Sequence, residues 1–317
     1  METCYSPQKY NVTSYGATIV AIISLEVFAG MWINAFIICV LCIGWVKKRT
    51  LNSNEKIVLL LGCSRFCSFC FSWIFTFVSK IYPYCLLVHP IFPLLQGGYT
   101  VSNCCNLWVS VCLCGFYCIK IANFRNSFFI CLKVKIDKMV PWLLFGSLIC
   151  SMIMGILVYN TIDKALCKNL NFTCLGDFWK ETIRIEEYFY LINFVTGFSY
   201  TTAFIALIFS ALFLLFSLWR HKRNMQTNSM DSPSMEAHIR AMKSILSFFI
   251  MYSINFVSLI LSLVYSTTYS NHVTFLVYLI QHAYPGVHSL FLIFSNPKLE
   301  KTLLRILSCL KHKVCRR

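Results

Sequence analysis

Seven apolar runs punctuate the chain, at about 18–46, 57–79, 98–121, 139–160, 188–218, 243–266 and 272–295. A helix rises 1.5 Å per residue, so about 20 apolar residues cross the hydrocarbon core of a bilayer. Each run is therefore expected to be a transmembrane helix, the fourth marginally short and the fifth long enough to project beyond the lipid. The last run stops at Asn296-Pro297, a turn signal, because the residue before proline is biased away from helical angles. A second pattern follows at once. Leu299, Leu303, Leu304, Ile306, Leu307 and Leu310 alternate with Lys298, Glu300, Lys301 and Arg305, which describes a short amphipathic surface helix. The expected architecture is all-α: a seven-transmembrane helix bundle with an amphipathic C-terminal helix, as a single domain over residues 1–317. No connection is long enough for a soluble domain, so any chemistry belongs inside the bundle or at its mouths.

Composition agrees. Apolar residues make up 58% of the 317 and charged residues only 13%, against about 25% charged in a soluble domain. The net charge of +16 is not that of a nucleic-acid binder. Its Lys and Arg lie in short blocks between apolar runs rather than on a soluble domain. Of 28 Lys and Arg, 21 fall after spans 1, 3 and 5 or in the tail, six fall on the other side, and Arg65 lies inside span 2. The positive-inside rule then places the N-terminus outside and the C-terminus in the cytosol. The glycosylation sequons at Asn11 and Asn171 fall on the same outer side. The first 17 residues are polar and lack a basic n-region, so the first span is expected to act as an uncleaved signal anchor. The 18 cysteines lie mainly in apolar runs, where they act as small packers. Cys167 and Cys174 flank the Asn171 sequon and are candidates for a pair or for free thiols. Cys309 and Cys315 are candidates for palmitoylation. No Cys/His spacing suggests zinc, and no cofactor is expected.

Polar groups inside a bilayer are costly and face the bundle interior. Glu26, Gly30 and Asn34 share one face of span 1, with Gly30 admitting a close neighbour. Glu26 is the acid well inside a span and Arg65 the base. Their depths differ, so a direct pair is not expected, and Arg65 is expected to bond to carbonyls of a neighbouring helix. Tyr99, Asn103 and Asn106 share a face of span 3. Asn255, Ser258 and Ser262 do so in span 6. Tyr278, Gln281 and His282 lie in the outer half of span 7, before Pro285-Gly286, which should kink that helix. Three polar faces at one depth describe either a shared ligand cavity or an interhelical hydrogen-bond network. The chain has no HExxH, GxSxG or P-loop and no paired intramembrane acids, so it is not expected to be an enzyme or an ion carrier.

Six stretches, in order, resemble the taste receptor type 2 family, the bitter taste receptors of the G-protein-coupled class. Glu26, Gly30, Asn34 and Phe36 match E-x3-G-x3-N-x-F. LLGCSR ending at Arg65 resembles LAxSR. FYCIKIANF from Phe116, with Tyr117, resembles FYxLKIANF. LLFSLWRHKRNMQ from Leu214 and DSPSMEAHIRAMK from Asp231 resemble the ends of spans 5 and 6. HSLFLIFSNPKLEK, with His288, Ser289 and Pro297, resembles HSxxLIxxNPKLK. Asn103 and Trp108 match family positions in span 3. The family also lacks the disulfide cysteine at the top of span 3, where Phe92 stands here.

The resemblance implies a plasma-membrane receptor that binds diverse bitter small molecules in the outer half of the bundle. It implies coupling to a gustducin-type heterotrimeric G protein, with phospholipase C and calcium downstream. The candidate ligand residues are Tyr99, Asn103, Asn106, Asn255, Ser258, Ser262, Tyr278 and Gln281. The candidates for the G-protein mouth are Lys120, His221, His238, Arg240 and Lys243. Glu26, Asn34, Arg65, Trp108, Tyr117, His288, Ser289 and Pro297 are the structural or switching set. Membrane lipids are partners, nucleic acid is not, and homo- or hetero-oligomers are left open. The chain departs from the family at Tyr99, Asn255 and Ala203, where Trp, Tyr and Pro are frequent, which implies a more polar pocket and a fifth span without its proline kink. A vomeronasal type 1 receptor and a small seven-span transporter or channel are the alternatives.

Overall fold

The computed structural model describes residues 14–82, 85–86, 89–121, 127–170, 194, 196–217, 219, 246–247, 249–261 and 271–314. Six of its helices are long and apolar enough to cross a membrane. These are α1 (Ser14–Lys48), α2 (Ser53–Ile81), α3 (Ile91–Ile121), α4 (Ser127–Leu170), α5 (Thr196–Ser217) and α7 (Asn271–Ser295). A shorter apolar helix, α6 (Phe249–Leu261), completes a seven-helix transmembrane bundle, and α8 (Pro297–Val314) follows it. The protein is thus a multi-pass membrane protein. Its outward surface bears the same message: Leu25, Trp32 and Trp142 are each about three-quarters exposed, which suits lipid rather than water.

The fourth helix is longer than its apolar run. It spans 44 residues and passes through Pro141, because the apolar run marks only the part suited to hydrocarbon and the helix continues through Lys133, Lys135, Asp137 and Lys138. Proline at 141 withholds an N–H from the carbonyl of Asp137. The Ser53 hydroxyl, at the start of α2, approaches that oxygen at 3.5 Å. The helix of α7 likewise runs unbroken through Pro285.

The third helix is the centre of the bundle. Its most apolar window is 61% buried, against 28% for α1, α4 and α5. Leu113, Val109, Cys105 and Phe116 of α3 join Ile37, Leu41, Ile57, Leu61 and Val140 in a core between α1, α2 and α4, with Leu292 and Ile293 of α7 and Leu299 of α8. Leu107, Cys114 and Cys118 of the same helix join Tyr200, Ala203 and Leu207 of α5, Tyr252 of α6 and Tyr284 of α7 in a second core. The buried cysteines of α3 serve here as small apolar packers, and none of the described cysteines forms a disulfide. Phe204 of α5 stacks on Phe256 of α6, with centroids 4.1 Å apart.

At the joint between α7 and α8 one residue, Asn296, lies outside both helices. Its side-chain Oδ1 accepts the Lys298 N–H at 3.0 Å, and its carbonyl accepts the Glu300 N–H at 3.0 Å. It is an N-cap, and Pro297 occupies the first helical position, where no N–H is needed. Lys298 then pairs with Glu55 of α2 at 2.6 Å, and Glu55 also accepts the Asn52 N–H at 3.1 Å. Leu299 is buried and Leu303 packs on the core. Leu304, Ile306 and Leu307 are about half exposed. The apolar stripe of α8 thus covers protein at one end and leaves the rest for lipid.

Close approach at one glycine pair sets the distance between α1 and α7. A Cβ on Gly286 would lie 3.4 Å from the Cα of Gly30, and a Cβ on Gly30 would run into the ring of Phe69. Phe69 is itself only 3% exposed, so it has little room to yield. Gly30→Leu is expected to destabilise the bundle by about 1–3 kcal/mol through overpacking. The thermal unfolding midpoint of the purified chain should fall, and a second change, Phe69→Ala, should restore part of the loss.

Candidate functional site

A buried polar network crosses the middle of the bundle. Arg65 of α2 is fully buried, as are Asn34, His288 and Ser289. The Arg65 Nε–H donates to Asn106 Oδ1 on α3 at 2.9 Å, and Nη1 donates to Ser289 Oγ on α7 at 2.8 Å. Nη2 donates to Nδ1 of His288. Ser289 passes its own proton to Asn34 Oδ1 on α1 at 2.8 Å, and Asn34 Nδ2 closes on the Gly30 carbonyl at 2.8 Å. A planar guanidinium offers donors in three directions at once, and here each direction meets a different residue. The partners of Arg65 are side chains rather than the backbone carbonyls expected for it, because Asn106, His288 and Ser289 sit at its depth on α3 and α7. Glu26 does not join the network. It is partly buried, and its Oε2 has no hydrogen-bond partner among the described residues.

Above this network, in the half of the bundle away from α8, a cavity opens. It encloses about 530 Å³ of empty space, counting the part open to the outside. Arg65, Ser68, Phe69 and Ser72 line it from α2, and Tyr99, Asn103 and Asn106 from α3. Tyr200 comes from α5, Asn255 and Leu259 from α6, and Gln281, His282, Tyr284 and Pro285 from α7. The wall is mixed: hydroxyls, amides and a guanidinium share it with the apolar surface of Phe69, Leu259, Pro285 and the tyrosine rings.

Of the residues expected to meet a ligand, the structure brings together Tyr99, Asn103, Asn106, Asn255 and Gln281. Several are already engaged. Asn103 Nδ2 donates to the Tyr200 hydroxyl, Asn106 serves Arg65, and Gln281 Nε2 donates to the Ser258 carbonyl at 3.1 Å. Asn255 has no hydrogen-bond partner among the described residues, so its amide is open to the cavity. Ser258 does not line the cavity; its hydroxyl is buried on the Ile254 carbonyl at 2.9 Å. Ser262 and the side chain of Tyr278 lie outside the described residues, as do Asn11, Asn171, His221, His238, Arg240 and Lys243. Lys120 is at the other end of α3, paired with Asp137 of α4 at 2.5 Å. Trp108 is partly buried, with no partner for its indole N–H among the described residues. Tyr117 packs against both apolar cores.

Sequence reasoning missed one wall. Ser68, Phe69 and Ser72 follow Arg65 at i+3, i+4 and i+7 on one face of α2, so the helical spacing carried the signal. Ser72 Oγ meets His282 Nε2 at 2.6 Å and fastens this wall to α7. Beneath the cavity Tyr252 of α6 meets Tyr284 and His288 edge-on, and those two rings lie nearly parallel with centroids 5.8 Å apart.

Ser289 is the single atom bridge between Arg65 and Asn34. Ser289→Ala leaves one Arg65 N–H and one Asn34 oxygen buried without partners, which is expected to cost about 1–3 kcal/mol. Asn34→Ala with Ser289→Ala should then be clearly non-additive in thermal unfolding, as expected for residues in one network. Additive losses would show that the bridge carries no coupling.

Comparison with known proteins agrees with this architecture. The model of the taste receptor protein (TAS2R) family matches residues 12–311. Taste receptor type 2 member 103 of Mus musculus is 34% identical over 301 residues, covering 93% of this chain and 94% of its own. Member 125 of Rattus norvegicus is 32% identical over 293 residues, covering 90% and 92%. Member 2 of Homo sapiens is 30% identical over 300 residues, covering 93% and 97%. A seven-helix bundle matched by one family over nearly its whole length leaves a single assignment: this chain belongs to the taste receptor type 2 family, the bitter taste receptors among G-protein-coupled receptors.

Proposed function

We propose that the chain is a bitter taste receptor that binds small bitter molecules in the cavity above Arg65 and activates a gustducin-type heterotrimeric G protein, with phospholipase C and calcium downstream. The observation that carries the ligand reading is the cavity itself, walled by five helices with polar and apolar surface, with the Asn255 amide uncommitted among the described residues. The single seven-span domain lies in the plasma membrane with the cavity facing outward. The N-terminus is extracellular, glycosylated at Asn11 and Asn171, and α8 lies on the cytosolic side. The distribution of Lys and Arg supports that orientation.

The mechanism follows from which bonds an agonist must compete for. Asn103–Tyr200 ties α3 to α5 and Gln281–Ser258 ties α7 to α6. An agonist that bonds Asn255 and takes over Asn103 or Gln281 loosens α5 and α6 at their outer ends. It acts only through the difference in its affinity for the loosened and the resting arrangements. At the cytosolic end, Lys120, His221, His238, Arg240 and Lys243 face the G protein, and Lys120 must exchange Asp137 for it.

The test is calcium imaging in cells that co-express the chain with a promiscuous G-protein α subunit, against a panel of bitter compounds. A G-protein-dependent response is expected. At equal surface expression, Asn255→Leu should weaken agonist potency at least about tenfold, the worth of one to two hydrogen bonds. Agonists that respond equally to the native chain, Asn255→Leu and Asn103→Ala would show that they bind elsewhere.

A further inference from the structure

The guanidinium of Arg65 has five N–H donors, and its three bonds use one hydrogen on each nitrogen. The two remaining N–H groups, one on each terminal nitrogen, have no partner among the described residues. All three acceptors are neutral: an amide, an imidazole and a hydroxyl. The ion pairs among the described residues are His89–Asp163, Lys120–Asp137 and Lys298–Glu55, none of which involves Arg65. A buried cation that lines the cavity thus has no carboxylate against it among the described residues. Neutral dipoles offset part of its lost hydration, but a buried charge is ordinarily matched by an opposite one. One turn along α2, Ser68 lines the same cavity. Ser64 and Ser72 spend their hydroxyls on Leu61 and His282, whereas Ser68 has no hydrogen-bond partner among the described residues. The residues that carry these three donors, Arg65 and Ser68, line the same cavity one turn apart on α2, and the Arg65 charge has no opposite charge among the described residues.

We propose that the floor of this cavity is a site for a small monovalent anion, an inorganic halide or the carboxylate of a bound ligand, held by the two unused N–H groups of Arg65 and the hydroxyl of Ser68. The anion supplies the counter-charge that the described residues do not. A halide there ties α2 more firmly to the network. A ligand bearing a carboxylate seats that group in its place, with the rest of the molecule toward Asn255 and Gln281. The proposal shares the agonist's cavity but does not depend on signalling.

The experiment uses the purified full-length chain in lipid nanodiscs without G protein. The chlorine NMR line width of sodium chloride is followed with and without added sodium acetate. The native chain is expected to broaden the line, and acetate to reverse the broadening. Asn106→Asp puts a carboxylate of the same shape on the Arg65 Nε–H, so it supplies the counter-charge internally. It should remain folded by thermal unfolding and lose the excess broadening. Ser68→Ala, which leaves the Arg65 network intact, should reduce it. Broadening that acetate fails to reverse assigns the site to halide alone. Acetate that raises the unfolding midpoint of the native chain and not of Asn106→Asp, without chloride broadening, assigns it to ligand carboxylates. Native broadening no greater than that of Asn106→Asp, with no effect of acetate on stability, overturns the proposal. Because binding is read directly, a chain that binds the anion but fails to signal separates this proposal from the receptor reading.

Discussion

One guanidinium in hydrocarbon governs this bundle. The Arg65 side chain is buried, so the helices around it supply acceptors at its depth. Asn106 and Ser289 do so from α3 and α7 with ordinary hydrogen-bond lengths, and Asn34 extends the chain of bonds to α1. Four helices are thereby fixed in mutual register by groups that have no better alternative inside a membrane. The apolar packing around them sets how closely they lie.

Helices α5 and α6 are held differently. Tyr200, Ala203 and Leu207 of α5 and Tyr252 of α6 join the rest through apolar and aromatic contact, with the Asn103–Tyr200 and Gln281–Ser258 bonds at the cavity. The bundle therefore has a stitched part, α1, α2, α3 and α7, and a part packed more smoothly against it. The cavity lies on the seam. A molecule bound there touches both parts, and the bonds nearest to it are those that join them.

The pattern of apolar runs located the helices, because the hydrocarbon thickness leaves few alternatives for a stretch of that length. It also singled out Asn34, Arg65, His288 and Ser289, since polar atoms in such runs demand a reason. It did not pair them. Helical spacing shows which residues share a face, but the rotation of one helix against another depends on packing that a single sequence does not display. For that reason the bond from Arg65 to Asn106, a residue that also lines the cavity, and the α2 wall of Ser68, Phe69 and Ser72 become visible only in the fold. Ser258 shares a face with Asn255 in sequence, yet one turn of difference in depth removes it from the cavity. The extra length of α4 has another cause: a helix can outlast its apolar run by continuing into a polar environment.

The single-residue joint at Asn296 has a practical side. Because α8 is capped directly on the end of α7 and clamped to α2 through Lys298 and Glu55, its direction is a gauge of how α2 and α7 stand to each other. A fluorescent label on the exposed side of α8 would therefore stay constant while α5 and α6 move and change when the stitched part itself rearranges. Such a reporter would show which half of the bundle a given compound acts upon.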